Sequence, residues 1–116
     1  MTRDATLCAE VLDESVVVYL AGADSVADYR RRLTGSEEDQ LRVASRLAAA
    51  RRVILVFDAE NCLSLAGPWL REFGAAGDTP ARLIRDKGDD EKTGAVVAEV
   101  AEQWVRRQVS AGSAPR

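Results

Sequence analysis

Histidine is missing from all 116 positions, which removes the commonest general base and the commonest zinc ligand from any chemistry assigned to this chain. Cysteine is nearly missing as well. Cys8 and Cys62 stand far apart, and two thiols cannot complete a structural zinc site, so both read as small reduced hydrophobes. Charge of one sign is not in excess either: 19 acids face 16 bases, a net charge of -3 that offers no strong field for nucleic acid or an anionic membrane. No apolar run approaches the ~20 residues that span a bilayer. The first twelve residues carry no cationic segment followed by an apolar one, so the expected location is the cytoplasm. No complete catalytic motif is present, and no cofactor is expected.

What is present fits one domain, expected over 1–109 with a disordered tail over 110–116. Its centre is the run Val53, Ile54, Leu55, Val56, Phe57, which lies between Arg51-Arg52 and Asp58. Five apolar residues without polar alternation predict a strand buried on both faces, as in a parallel sheet covered by helices. Upstream, 6–12 and 16–21 are short runs rich in apolar and β-branched residues, separated by Asp13, Glu14 and Ser15, and predict a hairpin with Leu7, Ala9 and Val11 on one face.

Ser25 with Asp28 three residues on has capping-box spacing and opens a helix whose last turn is Arg30-Arg31-Arg32. With acids nearby and no interleaved aromatic residues, that arginine cluster reads as a solvated helix end. Ser36 caps the next helix, with Glu37, Glu38 and Asp39 in its first turn and Arg51-Arg52 at its expected end. After Asp58 comes a long connection to Pro68, which suits a first helical position, with Trp69, Leu70 and Phe73 as the buried face and Gly74 with Gly77 as its end. Residues 81–85 predict a weaker strand near an edge. A charged loop follows, and Thr93 caps a last helix carrying Val97, Val100, Ala101, Trp104 and Gln108 on one face. The predicted class is α/β: a mixed four-stranded sheet with about four helices, in the order β-β-α-α-β-α-β-α.

Over roughly 16–84 this order resembles the STAS family, the fold of anti-sigma-factor antagonists and of the C-terminal domain of sulfate transporters. The resemblance rests on the apolar strand of the hairpin, Gly22 with its following acid, a helical stretch ending in arginines, the 53–57 run closed by Asp58, and the loop that delivers Gly67 to a helix. In place of that family's Asp-Ser-Ser/Thr-Gly box stands Ser64-Leu65-Ala66-Gly67, with Leu65 at the phosphoacceptor position. The resemblance implies a non-catalytic interaction module that meets a protein partner through Asp58, Asn61, Ser64, Leu65, Gly67 and Trp69.

A shorter stretch, 53–61, is similar to the opening strand of NYN-type nucleases of the PIN-like group. That similarity implies the alternative function, metal-dependent phosphodiester cleavage, with Asp58 holding the cation and Asp89 and Asp90 as further acids. Nucleic acid is a partner only under this alternative. Finally, Trp69 and Trp104 would compete with Phe57 and Phe73 for one small core, so a homodimer is expected through Val97, Val100 and Trp104.

Overall fold

A computed structural model describes residues 3–72 and 79–112, and among them no strand is present. The described chain is helical throughout: α1 (Arg3–Val11), α2 (Glu14–Leu20), α3 (Val26–Leu33), α4 (Glu37–Ala59), a single 3-10 turn (Leu63–Leu65), α5 (Ala66–Glu72), α6 (Pro80–Lys87) and α7 (Glu91–Gly112). The expected α/β class, with its four-stranded sheet, is therefore wrong. The STAS-like architecture falls with it, because the strand on which that likeness depended is helix. Phe73, Gly74 and Gly77 lie outside the described residues, as do 113–116 of the expected tail; 110–112 continue α7.

Each misread strand has a physical reason. The 53–57 run is the last part of α4, which does not stop at Arg51-Arg52 but continues to Ala59. Within it Val53, Ile54 and Phe57 are buried while Leu55 is 43% exposed, so the run winds around a helix and is not enclosed on both sides. In α1 the half-buried Leu7 and buried Cys8 recur four residues later as Val11 and Leu12, while Ala9 is exposed, which is a helical period. In α2, Val16, Val17, Val18 and Leu20 are buried, and that burial overrides the mild helix aversion of three β-branched residues. The weak strand at 81–85 is α6, whose Thr79 side chain accepts a hydrogen bond from the Arg82 N–H at 3.1 Å and whose Pro80 occupies the first turn.

The expected helix starts at Ser25 and Ser36 are present: each hydroxyl accepts from the N–H three residues on, at 3.0 Å from Asp28 and 3.1 Å from Asp39. The last helix begins at Glu91, two positions before the expected cap. No described helix is long and apolar enough to cross a membrane.

The two long helices organise the rest. Buried Val43, Leu47, Ala50, Ile54 and Phe57 alternate steps of four and three along α4, and Gly94, Val97, Ala101 and Val105 do much the same along α7. They run in the same direction, since Gly94 lies against Ala49 and Trp104 against Phe57. A parallel pair needs a return connection, which α5 and α6 provide. At Gly94 an added Cβ would stand 3.4 Å from the Ala49 Cβ and from Arg52 Nη1, at van der Waals contact, so the two helices pack closely here. At the other end of the pair, Phe57, Trp69 and Trp104 form one cluster with centroid separations of 5.7, 5.8 and 6.5 Å and tilted planes.

Helix α4 is stopped by Asn61, which lies two residues beyond Ala59 and has a left-handed φ of 56°. The Asn61 N–H donates to the Asp58 carbonyl and the Cys62 N–H to that of Phe57, both at 3.0 Å, the paired bonds of a Schellman stop. Asparagine tolerates this conformation and a β-branched residue does not. Asn61→Val is thus expected to lower unfolding stability by about 1–2 kcal/mol, with Asn61→Gly within about 0.5 kcal/mol of the parent. Urea titration of the three proteins tests this; equal stability of the valine variant would contradict the stop.

Candidate functional site

The residues singled out in the 58–67 connection do not converge. Asp58 is exposed on the last turn of α4, Asn61 is the helix stop, and Ser64 and Leu65 are exposed on the 3-10 turn. Gly67 is half-buried, with Leu12 facing the place where its side chain would be, and Trp69 is 3% exposed inside the aromatic cluster. The Cys62 thiol is pushed up from its ordinary pKa by burial and by nearby Glu60, which keeps it protonated and a poor nucleophile.

The acids of the metal-dependent alternative are also apart. Asp89 sits 3.8 Å from Arg46, and Arg46 and Asp58 are about 18 Å apart along α4. No group of three or more metal-ligating side chains occurs among the described residues. Of the stripe on α7, Val97 is buried and Trp104 half-buried against Phe57, leaving Val100, 39% exposed, open to solvent.

A different arrangement emerges at the first helices. After α2, Ala21 is fully buried and Gly22 turns the chain with φ of 84°. The Gly22 N–H donates to the Tyr19 carbonyl at 3.0 Å and the Ala23 N–H to that of Val18 at 3.1 Å, so the helix end closes in a second Schellman stop. A side chain at position 22 would be strained at that φ, and glycine suits it. Ser25 then caps α3 directly. Only 21–25 separate two short helices that pack on each other and on α4, with Ala23 and Tyr29 buried at the joint. α1 packs against both α2 and α4, with the Cys8 thiol 3.7 Å from the Leu47 carbonyl.

Asp28 fixes how α3 leaves the turn. Its carboxylate is buried and accepts from the Asp24 backbone N–H at 3.0 Å, from Arg32 Nε at 3.1 Å and from Arg31. The backbone N–H of Asp24 is the largest cause, with the Arg32 and Arg31 guanidiniums adding to it, and together these hold the carboxyl down at about 2 against the opposing effect of burial. In the unfolded chain an aspartate titrates near ~3.9, so this stabilisation is complete above that pH and is lost as pH falls through about 2. Asp28→Asn is expected to flatten the stability profile between those values. Chemical unfolding at stepped pH checks it; a parent and variant with parallel acid limbs would remove Asp28 from the account.

With Asp28 engaging Arg31 and Arg32, the outward side of α3 presents Ser25, Ala27, Arg30, Arg31 and Thr34. Arg30 is exposed and has no ion pair among the described residues. The sequence carried part of this signal in Ser25, Asp28 and the arginines. What was missed is that the valine run before Gly22 is a helix, which turns the glycine from a strand end into the joint between two helices.

The same turn is braced from α6. Arg85 Nη1 donates to the Tyr19 and Ala23 carbonyls, both at 2.9 Å, Nη2 reaches Asp24 Oδ1 at 3.2 Å, and the guanidinium lies 4.7 Å from the centre of the Tyr19 ring. Arg46 of α4 donates to the Arg85 carbonyl at 2.8 Å. Two arginines thus tie the turn to the two helices behind it. Searches against family models, curated proteins and solved structures found no match to this chain.

Proposed function

We propose that this chain is a double-stranded DNA-binding protein of helix-turn-helix type, with α3 entering the major groove. The supporting observation is the joint itself: two short helices meet across a tight turn whose glycine has a left-handed φ, and the second helix starts at a side-chain cap and carries an outward arginine pair. Ser25 and Ala27 stand at the end of α3 that reads base edges in such motifs, and Arg30 follows one turn later. The reading places the protein in the cytoplasm.

Electrostatics set the character of the complex. A net charge of -3 provides little long-range attraction, so discrimination has to come from base contacts, and the salt dependence counts the phosphates that the arginines meet. Motifs of this kind pair two copies on half-sites about 34 Å apart, and the homodimer expected from the sequence belongs to the same proposal.

Selection of the full chain on a random duplex pool, followed by fluorescence anisotropy on the enriched sequence, tests it. An enriched two-fold sequence is expected, with affinity lowered about tenfold in Arg30→Ala, an effect in the range of a single good base contact. A pool that returns no enriched sequence at low salt overturns the proposal. Loss of affinity equal for all sequences would assign Arg30 to the phosphate backbone instead of base edges.

A further inference from the structure

We infer that the cleft between α2, α5 and α6 binds a small organic oxyanion with an apolar body, independently of any DNA contact. The cleft has a volume of about 480 Å³. That lies within the range of pockets that hold small ligands. Buried Val16 and Ala81 form its apolar side, and the Tyr19 ring, 39% exposed, adds an aromatic surface. Ser15 and Thr79 place hydroxyls at its edge, and Thr79 already accepts from the Arg82 N–H.

Among the described residues of this lining the charged groups are Arg71 and Arg82. In a chain whose acids outnumber its bases, a cleft lined by charge of the opposite sign is selective by itself. Arg82 also meets Asp86 at 3.5 Å, an exposed pair of the kind that contributes little to stability. Guanidinium groups match planar or tetrahedral oxyanions with paired N–H donors. The remaining apolar lining excludes a fully hydrated inorganic ion as the best occupant. A carboxylate or a phosphate monoester on a ring or short hydrocarbon satisfies both halves.

Arg85 strengthens the case for Tyr19 as a wall. Its guanidinium lies on the Tyr19 ring and bonds to the Tyr19 backbone carbonyl, so one group fixes the backbone and covers the ring before any ligand arrives. A preset wall lowers the ordering cost of binding.

The test is thermal melting and calorimetry of the full chain with benzoate, phenyl phosphate, inorganic phosphate and neutral benzamide, each at matched ionic strength with sodium chloride. Benzoate or phenyl phosphate is expected to raise Tm by at least about 4 °C when present at roughly a hundred times its Kd. Arg71→Gln/Arg82→Gln is expected to weaken that binding more than tenfold while melting near the parent. Ser15→Phe, at an exposed position on the rim, is expected to block it. Shifts no larger than those of chloride overturn the inference, as does benzamide binding as well as benzoate or the double variant binding like the parent. Inorganic phosphate binding as tightly as phenyl phosphate overturns the apolar half and leaves an anion site alone. None of these readouts involves DNA, so they stand whether or not the helix-turn-helix reading does.

Discussion

Phe57→Ala is expected to lower unfolding stability by about 3–5 kcal/mol, the largest loss from any single substitution considered. Phe57 is fully buried and is the ring that touches both tryptophans, at 5.7 Å from Trp69 and 5.8 Å from Trp104. Truncation removes its transfer free energy and leaves a cavity between helices that come from three separate parts of the chain, where collapse is restricted. It also removes two tilted ring contacts, worth roughly 0.5–1.5 kcal/mol each beyond burial. Domains of this size are stable by only about 5–15 kcal/mol, so the variant should melt at least about 10 °C lower. Phe57→Leu should recover more than half of the loss. Urea unfolding followed by tryptophan fluorescence is the direct measurement because both reporter rings border the deleted one. A loss under about 1 kcal/mol would mean that the three rings do not share one core.

That cluster also shows how the chain accommodates its large rings. Trp69 and Trp104 were expected to compete with Phe57 and Phe73 for one small core, with a dimer interface as the outlet. Tilted rings at 5.7 to 6.5 Å instead pack together where α4, α5 and α7 meet, and the half-buried Trp104 closes the cluster from α7. Trp104 thus has a structural role within one copy.

The helix starts at Ser25 and Ser36 were legible and the end of α4 was not. Ser25 and Ser36 carry their signal locally, in a hydroxyl three residues ahead of the N–H it accepts from. The end of α4 was hidden because Arg51-Arg52 look like a basic last turn, while the true stop, Asn61, announces itself only through a left-handed φ. A short apolar run has no period of its own, and the 53–57 residues take theirs from the buried Val43, Leu47 and Ala50 before them. The same ambiguity hid the candidate site. Once Val16, Val17 and Val18 are assigned to a strand, Gly22 ends it, and the pairing of α2 with α3 disappears from view.

Arg85→Ala is expected to cost about 2–3 kcal/mol and to loosen the turn on which the DNA-binding proposal depends. Arg85 is 23% exposed and ties together four things: the Tyr19 carbonyl, the Ala23 carbonyl, the Asp24 carboxylate and the Tyr19 ring. The Tyr19 carbonyl belongs to the last turn of α2, where the helix dipole favours a cation, the Ala23 carbonyl belongs to the turn that follows, and both lose their charged donor if the guanidinium goes. Asp24 is 86% exposed, so its ion pair contributes little, and Asp24→Ala should change stability by less than about 0.5 kcal/mol. Arg85→Lys should recover less than half of the alanine loss, because one ammonium cannot reproduce the fork that meets both carbonyls while lying on the ring. Equal losses in Asp24→Ala and Arg85→Ala would shift the energy from the helix end to the surface pair and contradict this account. Amide exchange adds a local readout. The Gly22 and Ala23 N–H groups, bonded to Tyr19 and Val18, should exchange faster in Arg85→Ala by more than the global loss explains. A change confined to global unfolding would mean that α6 supports the bundle without positioning α3.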